Sequence, residues 1–287
     1  MKATTEAATP EHPLVKYIRP SALKTTNCPG CGNGILAHSI LRAIEKEELD
    51  MDDFTFVSGI GCAAWIPSPY FYADVLHTTH GRPVAFATGV KLAAPDRRVM
   101  VVSGDGDLLA IGGNHFIHAA RRNINMTVIC VNNSIYGMTG GQVAPTTPVG
   151  LKTMTTPYGN VENDFDISNL AIAAGATFVA RWTVHHAPQI TKTVRKALNH
   201  RGFSFLEIIS QCPVQFGRKS GMGNSVQMFE HYKENSVSIK RASSMSEEEL
   251  TGKVVVGEML DIQKPVLDDK LESLRKSFRG EVDNGEN

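Results

Sequence analysis

The stretches RRVMVVSG (97–104) and INMTVICVNN (124–133) are apolar through their centres, not at every second position. A strand with one solvated face alternates. Continuous apolar runs belong to strands covered on both faces, the situation of a parallel sheet flanked by helices. Between them, LLAIGGNHFIHAARRN has apolar residues at helical spacing and is the crossover that two parallel strands require. The alternation recurs along the chain. GILAHSILRAIEKE reads as a helix, DFTFVSG as a strand, and RPVAFATGVKLAA as a helix closed by Pro95. DISNLAIAAGATFVARW reads as helix then strand with Asp166 or Ser168 as N-cap, APQITKTVRKALNHRG as a helix, and FSFLEIIS as a final strand. The expected class is α/β, with residues 25–220 as one large domain. Residues 1–24 are expected to form an N-terminal arm. From 221 to 287 the pattern weakens, and a partner-contacting or partly disordered C-terminal extension is expected.

At 287 residues the chain is near the upper limit for a single core. Lys+Arg and Asp+Glu both number 29, so nothing points to nucleic acid or a membrane surface. The start lacks an apolar leader segment, and no run reaches the roughly 18 apolar residues of a membrane span. The expectation is a cytoplasmic chain.

SGDGD (103–107) ends the first buried strand and NN (132–133) ends the next. If those strands are neighbours, Asp105 and Asn133 emerge side by side at the carboxyl edge of the sheet, where open α/β sheets bind ligands. A carboxylate and an amide oxygen suit Mg²⁺, which takes its remaining ligands from phosphates. The following helix start offers free N–H groups to those phosphates. The residues therefore read as a Mg²⁺–diphosphate site, although a lone Gly-Asp-Gly also fits a plain strand–turn–helix.

Of five cysteines, Cys130 lies inside an apolar strand and reads as a buried small hydrophobe. Cys28 and Cys31 form CPGC, while Cys62 and Cys212 each follow an expected strand. On spacing alone the four are compatible with a redox pair, a Cys₄ zinc site or an iron–sulfur cluster.

GDGD, with NNSIYGMTGGQ placed so that Asp105 and Asn133 are 28 positions apart, resembles the thiamine diphosphate motif of the 2-oxoacid:ferredoxin oxidoreductases. The likeness is to their separate β subunit. It covers residues 25–220 and implies a thiamine-diphosphate-binding fold. It further implies that Asp105, Asn133 and the carbonyl of Ile135 hold Mg²⁺. Gly106, Asp107, Gly137 and Met138 would lie against the diphosphate and thiazolium, as would Ile60, Gly61, Cys62 and Ala63 from a second loop. CPGC, SGIGC and QCPVQFG resemble the family's cluster ligands, so Cys28, Cys31, Cys62 and Cys212 would hold a [4Fe–4S] cluster. In HTTHGRP, His80 and Arg82 would contact substrate or diphosphate; the alternative is that they cap the helix beginning near Pro83. His115 and His118, at i and i+3, and the His185-His186 pair read as surface or loop residues.

The implied activity is oxidative decarboxylation of a 2-oxoacid with coenzyme A to an acyl-CoA and CO₂, electrons passing singly through the cluster to ferredoxin. Among the members the likeness is strongest to those using 2-oxoglutarate, with pyruvate or branched 2-oxoacids as the alternative. A second cofactor-gripping domain is absent from the sequence. An α subunit, in an αβ or α₂β₂ assembly, would supply the activating glutamate, the substrate's carboxylate contacts and the coenzyme A site. The competing classes are a non-redox thiamine enzyme with structural zinc and a cluster-carrying interaction protein without catalysis.

Overall fold

The computed structural model describes residues 12–22 and 24–279. Parts of the expected arm (1–11 and 23) and of the expected extension (280–287) lie outside the described residues. Helix α1 (Asn33–Lys46) precedes strand β1 (Phe54–Ser58) and β2 (Asp74–His77). Then follow α2 (Pro83–Ala93), β3 (Arg98–Gly104), α3 (Gly113–Arg122) and β4 (Met126–Asn132). A short hairpin, β5 (Ile135–Tyr136) and β6 (Gln142–Val143), leads to α4 (Ile167–Ala174), β7 (Phe178–Thr183), α5 (Ala187–Asn199) and β8 (Phe203–Ile209). The chain ends with α6 (Arg218–Ser220), α7 (Ser225–Asn235), β9 (Ser236–Ser238), α8 (Ile239–Ala242), α9 (Glu247–Leu250), β10 (Val254–Asp261) and α10 (Leu267–Arg279).

Eight strands form one sheet in the order β2-β1-β3-β4-β8-β7-β10-β9. From β2 through β7 every pairing is parallel. The apolar runs divide their side chains strictly by parity, because successive residues of a strand face opposite ways. Met100, Val102, Ile129 and Val131 join Leu36, Ile40, Ile190 and Val194 of α1 and α5 on one face. Val99, Val101, Val128 and Cys130 meet Val84, Ala87, Phe116 and Ala171 of α2, α3 and α4 on the other. Cys130 is thus a core residue, as its apolar strand predicts. Among the described residues no helix is long and apolar enough to cross a membrane.

Two local features differ from the sequence expectation. The segment after Asp105 is not one helix. Gly106–Ile111 makes a wide turn closed by Gly112 N–H donating to the Asp107 carbonyl (3.0 Å), and α3 starts afresh beyond it. A Cβ at Gly112 would sit 2.7 Å from the Gly81 carbonyl, so the loop before α2 is able to press against this joint. The described part of the expected C-terminal extension is also folded into the domain. Strand β10 pairs antiparallel with β7 and carries β9 on its outer side. Its pattern is weak because most of its residues are only half-buried, so its side chains alternate less sharply than those of a covered strand. At the other end, Leu14 and Tyr17 are buried, and Tyr72 N–H donates to the Tyr17 carbonyl (2.8 Å).

Asn123 ties the C-terminal segment to the sheet. It ends α3 in the left-handed conformation (φ 49°), which asparagine tolerates better than most residues. Its Oδ1 accepts from Phe203 N–H (2.8 Å) and Thr177 Oγ1 (3.1 Å), and its Nδ2 donates to the Lys264 and Pro265 carbonyls (3.2 and 3.3 Å). We expect Asn123→Ala to lower stability by about 2–3 kcal/mol in urea unfolding, from lost buried bonds and the left-handed strain. Asn123→Gly, which relieves only the strain, should recover a minor part.

Candidate functional site

β3 and β4 run parallel with Gly104 opposite Val131, so Asp105 and Asn133 leave the sheet together at its carboxyl edge. Asp105 is 2% exposed. Burial pushes its carboxyl up to about 6, although the Thr146 hydroxyl donates to its Oδ2 and backbone N–H groups of Gly106 and Ser134 favour the anion. An acid left this uncompensated is what a bound dication would stabilise. Beyond β4 the chain turns through Ser134 in the left-handed region (φ 60°). The turn is held by Asn132 Oδ1 accepting from Ser134 N–H (3.2 Å), Asn133 Oδ1 accepting from Ile135 N–H (3.2 Å) and Thr147 Oγ1 donating to the Ser134 carbonyl (2.7 Å).

A cleft at this edge brings together most of the residues singled out in the sequence. Ile60, Gly61, Cys62 and Ala63 line it from the loop after β1, and Asp105, Gly106 and Asp107 from the turn after β3. Asn133, Ile135, Gly137 and Met138 line it from the loop after β4, and His80 from the loop before α2. Arg82 is not among the lining residues. Its Nη1 donates to the carbonyls of Gly81 (3.3 Å) and Ile111 (3.4 Å), joining the loop before α2 to the turn before α3, and its side chain makes no cap bond to α2. His115 and His118 lie on α3, half-buried and exposed, away from the cleft lining.

The carboxylate of Asp107 faces the protein, not an incoming phosphate. Its Oδ1 accepts from Gly81 N–H (2.7 Å) and Ile60 N–H (3.1 Å), and its Oδ2 from Ser103 Oγ (2.8 Å). His80 Nδ1 lies 2.5 Å from Oδ1 without hydrogen-bond alignment. A Cβ at Gly59 would be 1.9 Å from Asp107 Oδ2, so glycine is required for this carboxylate to reach the loop. Gly106 is equally constrained: a Cβ there would be 2.4 Å from the ring of Tyr136, whose hydroxyl donates to the Gly106 carbonyl (3.1 Å).

The four cysteines outside the core converge next to the cleft. Cys31 N–H donates to the Cys28 carbonyl (3.0 Å), and Gly32 N–H donates to the Gln211 carbonyl (3.2 Å), fastening the CPGC loop to the end of β8. Burial, then the neighbouring thiols of Cys212, Cys62 and Cys28, pushes the Cys31 thiol up to about 11. The Cys212 thiol is likewise raised by burial, against backbone N–H groups of Gln215, Phe216 and Val214 that favour its thiolate. A Cβ on Gly137 would stand 3.4 Å from Cys212 Sγ. The thiol group and the cleft therefore share a wall, and Cys62 belongs to both. Among the described residues no three His, Cys, Asp or Glu side chains close on a single metal ion.

Beneath the cleft lies a buried network that the sequence pattern does not announce. Glu207 of β8, 3% exposed, accepts from Arg181 Nε (2.6 Å), Ser168 Oγ (2.6 Å) and Asn132 Nδ2 (2.9 Å). Arg181 also pairs with Asp166, the N-cap of α4. One signal for it exists: a lone acid inside the apolar strand FSFLEIIS must have a partner. Thr146 and Tyr136 carry no comparable signal, because their partners are set by the loop's path.

Residues 59–208 match the family described as thiamine pyrophosphate enzyme, C-terminal TPP binding domain. The 2-oxoglutarate synthase subunit KorB of Methanocaldococcus jannaschii is 53% identical over 270 residues, covering 94% of this chain and 100% of that protein. The chain belongs to the β subunits of the 2-oxoacid:ferredoxin oxidoreductases. The KorB subunit of Methanothermobacter marburgensis is 50% identical over 95% of each chain. A solved structure of 2-oxoglutarate:ferredoxin oxidoreductase from Magnetococcus marinus, with 2-oxoglutarate, coenzyme A and succinyl-CoA bound, superposes with a TM-score of 0.82 at 32% identity. It covers 96% of this β subunit and 92% of that chain.

Removing Glu207 would leave the Arg181 guanidinium with Asp166 as its one ion-pair partner and loosen Asn132, the residue that holds the Ser134 turn. Glu207→Ala should cost about 3–5 kcal/mol in chemical denaturation, and Glu207→Ala with Arg181→Met should regain a large share. Additive losses in the double variant would contradict the coupling.

Proposed function

We propose that this chain is the cofactor-carrying half of a 2-oxoglutarate:ferredoxin oxidoreductase, forming succinyl-CoA and CO₂ from 2-oxoglutarate and coenzyme A. The observation that carries the reading is that Cys62 lines the cleft and also belongs to the four-thiol group. A site for a carbon-centred cofactor thus adjoins a site for an electron acceptor. The names of the KorB relatives and the 2-oxoglutarate and succinyl-CoA bound in the Magnetococcus marinus enzyme support 2-oxoglutarate as the substrate. Five free cysteines suit the reducing cytoplasm.

The residues fit the implied groups. Asp105, Asn133 and the Ile135 carbonyl would hold Mg²⁺, whose charge would offset the burial that the hydrogen bonds to Asp105 offset only in part. Gly106 allows close backbone approach to a diphosphate. Cys28, Cys31, Cys62 and Cys212 supply the four thiolates of a [4Fe–4S] cluster. When bound, thiamine diphosphate supplies the electron sink for the carbon–carbon bond that breaks as CO₂ leaves. The chain's own part is positional. Asp107 holds the loops of Ile60 and Gly81 around the cleft, and His80 contacts substrate or diphosphate from the loop that Asp107 fixes. Arg82 steadies that loop through its carbonyl contacts. An α subunit would close the cleft, supplying the second cofactor-binding domain and the coenzyme A site, and ferredoxin would take the electrons.

Anaerobically purified protein should contain about four iron and four sulfide per chain, with visible absorbance that dithionite bleaches. Stoichiometric zinc without iron would instead favour a non-redox thiamine enzyme. Asp105→Ala should weaken Mg²⁺-dependent thiamine diphosphate binding by roughly 10–100-fold in calorimetry, with iron content unchanged. Unaltered affinity would remove Asp105 from the metal site.

A further inference from the structure

The four thiols do not face one way. Cys62 looks onto the cofactor cleft, which the α subunit would cover. Cys28 is exposed, as are Pro29 and Gly30 after it, so the thiol group comes to the surface at the CPGC loop. Beside that loop lies a groove lined by Pro29, Pro213, Val214, Arg218, Asn224 and Ser225. It touches the sequence neighbours of two thiols, Cys28 and Cys212. The CPGC loop forms one bank and α7 the other, packed so closely that a Cβ on Gly30 would be 2.4 Å from Ser225 Cβ and Oγ. Val226, 68% exposed, continues the apolar bank on the outside of α7.

Charge distinguishes this groove. Arg218 and Lys219 are neighbours on α6, yet Lys219 Nζ is turned inward to the Gly140 carbonyl (2.6 Å) and Gln215 Oε1 (2.7 Å). Arg218 is exposed and makes no ion pair among the described residues. A small apolar groove with one uncommitted cation at its rim has the features of a transient electron-transfer contact, which is small and guided by charge.

We infer that this groove, between the CPGC loop and the start of α7, is the docking surface for a dissociable, acidic iron–sulfur carrier protein. The inference rests on the oxidoreductase reading and adds to it where electrons leave. A docked carrier takes one electron per encounter. A cluster held by Cys28, Cys31, Cys62 and Cys212 would give up that electron to the carrier's cluster, one being oxidised as the other is reduced, with no bond formed and no proton moved. The exit lies on a different side of the thiol group from the cleft, so a carrier docks and departs without opening the covered cofactor site.

The test uses the anaerobic complex with its α subunit and a ferredoxin of net negative charge, with direct binding measured by biolayer interferometry at low salt. Arg218→Glu should weaken ferredoxin binding roughly tenfold, with the iron content and visible spectrum of the unaltered complex. Val226→Glu, a second charge on the same bank, should weaken it too. Lys270→Glu, on α10 and remote from the groove, should not. Equal affinity in Arg218→Glu and Val226→Glu would overturn the docking site while leaving the oxidoreductase reading intact. An unaltered complex that holds no iron and reduces no viologen dye would instead sink the oxidoreductase reading. Binding that survives 1 M salt, where the Debye length falls to about 3 Å, would indicate a resident subunit and would also overturn the proposal.

Discussion

The carboxylate of Asp107 is the point on which the cleft depends. Its oxygens accept backbone N–H groups from the loops after β1 and before α2, together with the hydroxyl of Ser103 at the end of β3. Three separate segments are thereby held at one edge of the sheet. Charge-assisted bonds to a buried carboxylate are stronger than neutral ones, and losing this acceptor would leave those donors unsatisfied together. Gly59 and Gly112 belong to the same arrangement, since a side chain at either would press on Asp107.

Three acids are buried in or below the cleft, and each meets the cost of burial differently. Asp107 is satisfied by the donors around it. Glu207 is paired with Arg181 and bonded to Ser168 and Asn132, so its charge is used to hold the strand ends in place. Asp105 accepts from the Thr146 hydroxyl, yet burial still pushes its carboxyl up to about 6, and it stands beside Asn133 at the mouth of the sheet. The other two acids are complete within the protein.

The thiol group extends the same edge sideways. Strands β1 and β8 deliver Cys62 and Cys212 just past their ends, and the CPGC loop is tied to β8 through Gly32 and Gln211. Because β1, β3, β4 and β8 are consecutive neighbours in the sheet, the cofactor cleft and the thiols share loops. Cys62 and Gly137 stand at the boundary between them. The cleft and the thiols therefore adjoin, and Cys28 brings the thiol group to the surface.

Most of the fold was legible in the sequence because both faces of the central strands are covered. Continuous apolar runs such as VMVV and VICV suit a strand buried between two layers of helices, and the turn residues between them mark where those helices begin and end. Asp105, Asn133, Cys62 and Cys212 stood out for a related reason, since each follows a strand end and a parallel sheet aligns those ends, whereas Cys28 and Cys31 stood out only as the CPGC pair ahead of α1. The sequence did not disclose the place of β10 in the sheet, because a half-buried strand at the margin carries mixed side chains. Nor did it disclose the inward turn of Asp107, the rest of Arg82 on backbone carbonyls or the bond from Thr146 to Asp105. Each depends on which loops meet after folding, and residues dozens of positions apart have no local pattern to record it. The sequence alone determined a parallel α/β sheet with cofactor-type residues at its carboxyl edge. Tertiary structure decided which of those residues face the cleft, which hold the loops, and which side of the thiol group reaches solvent, because long-range packing sets side-chain direction.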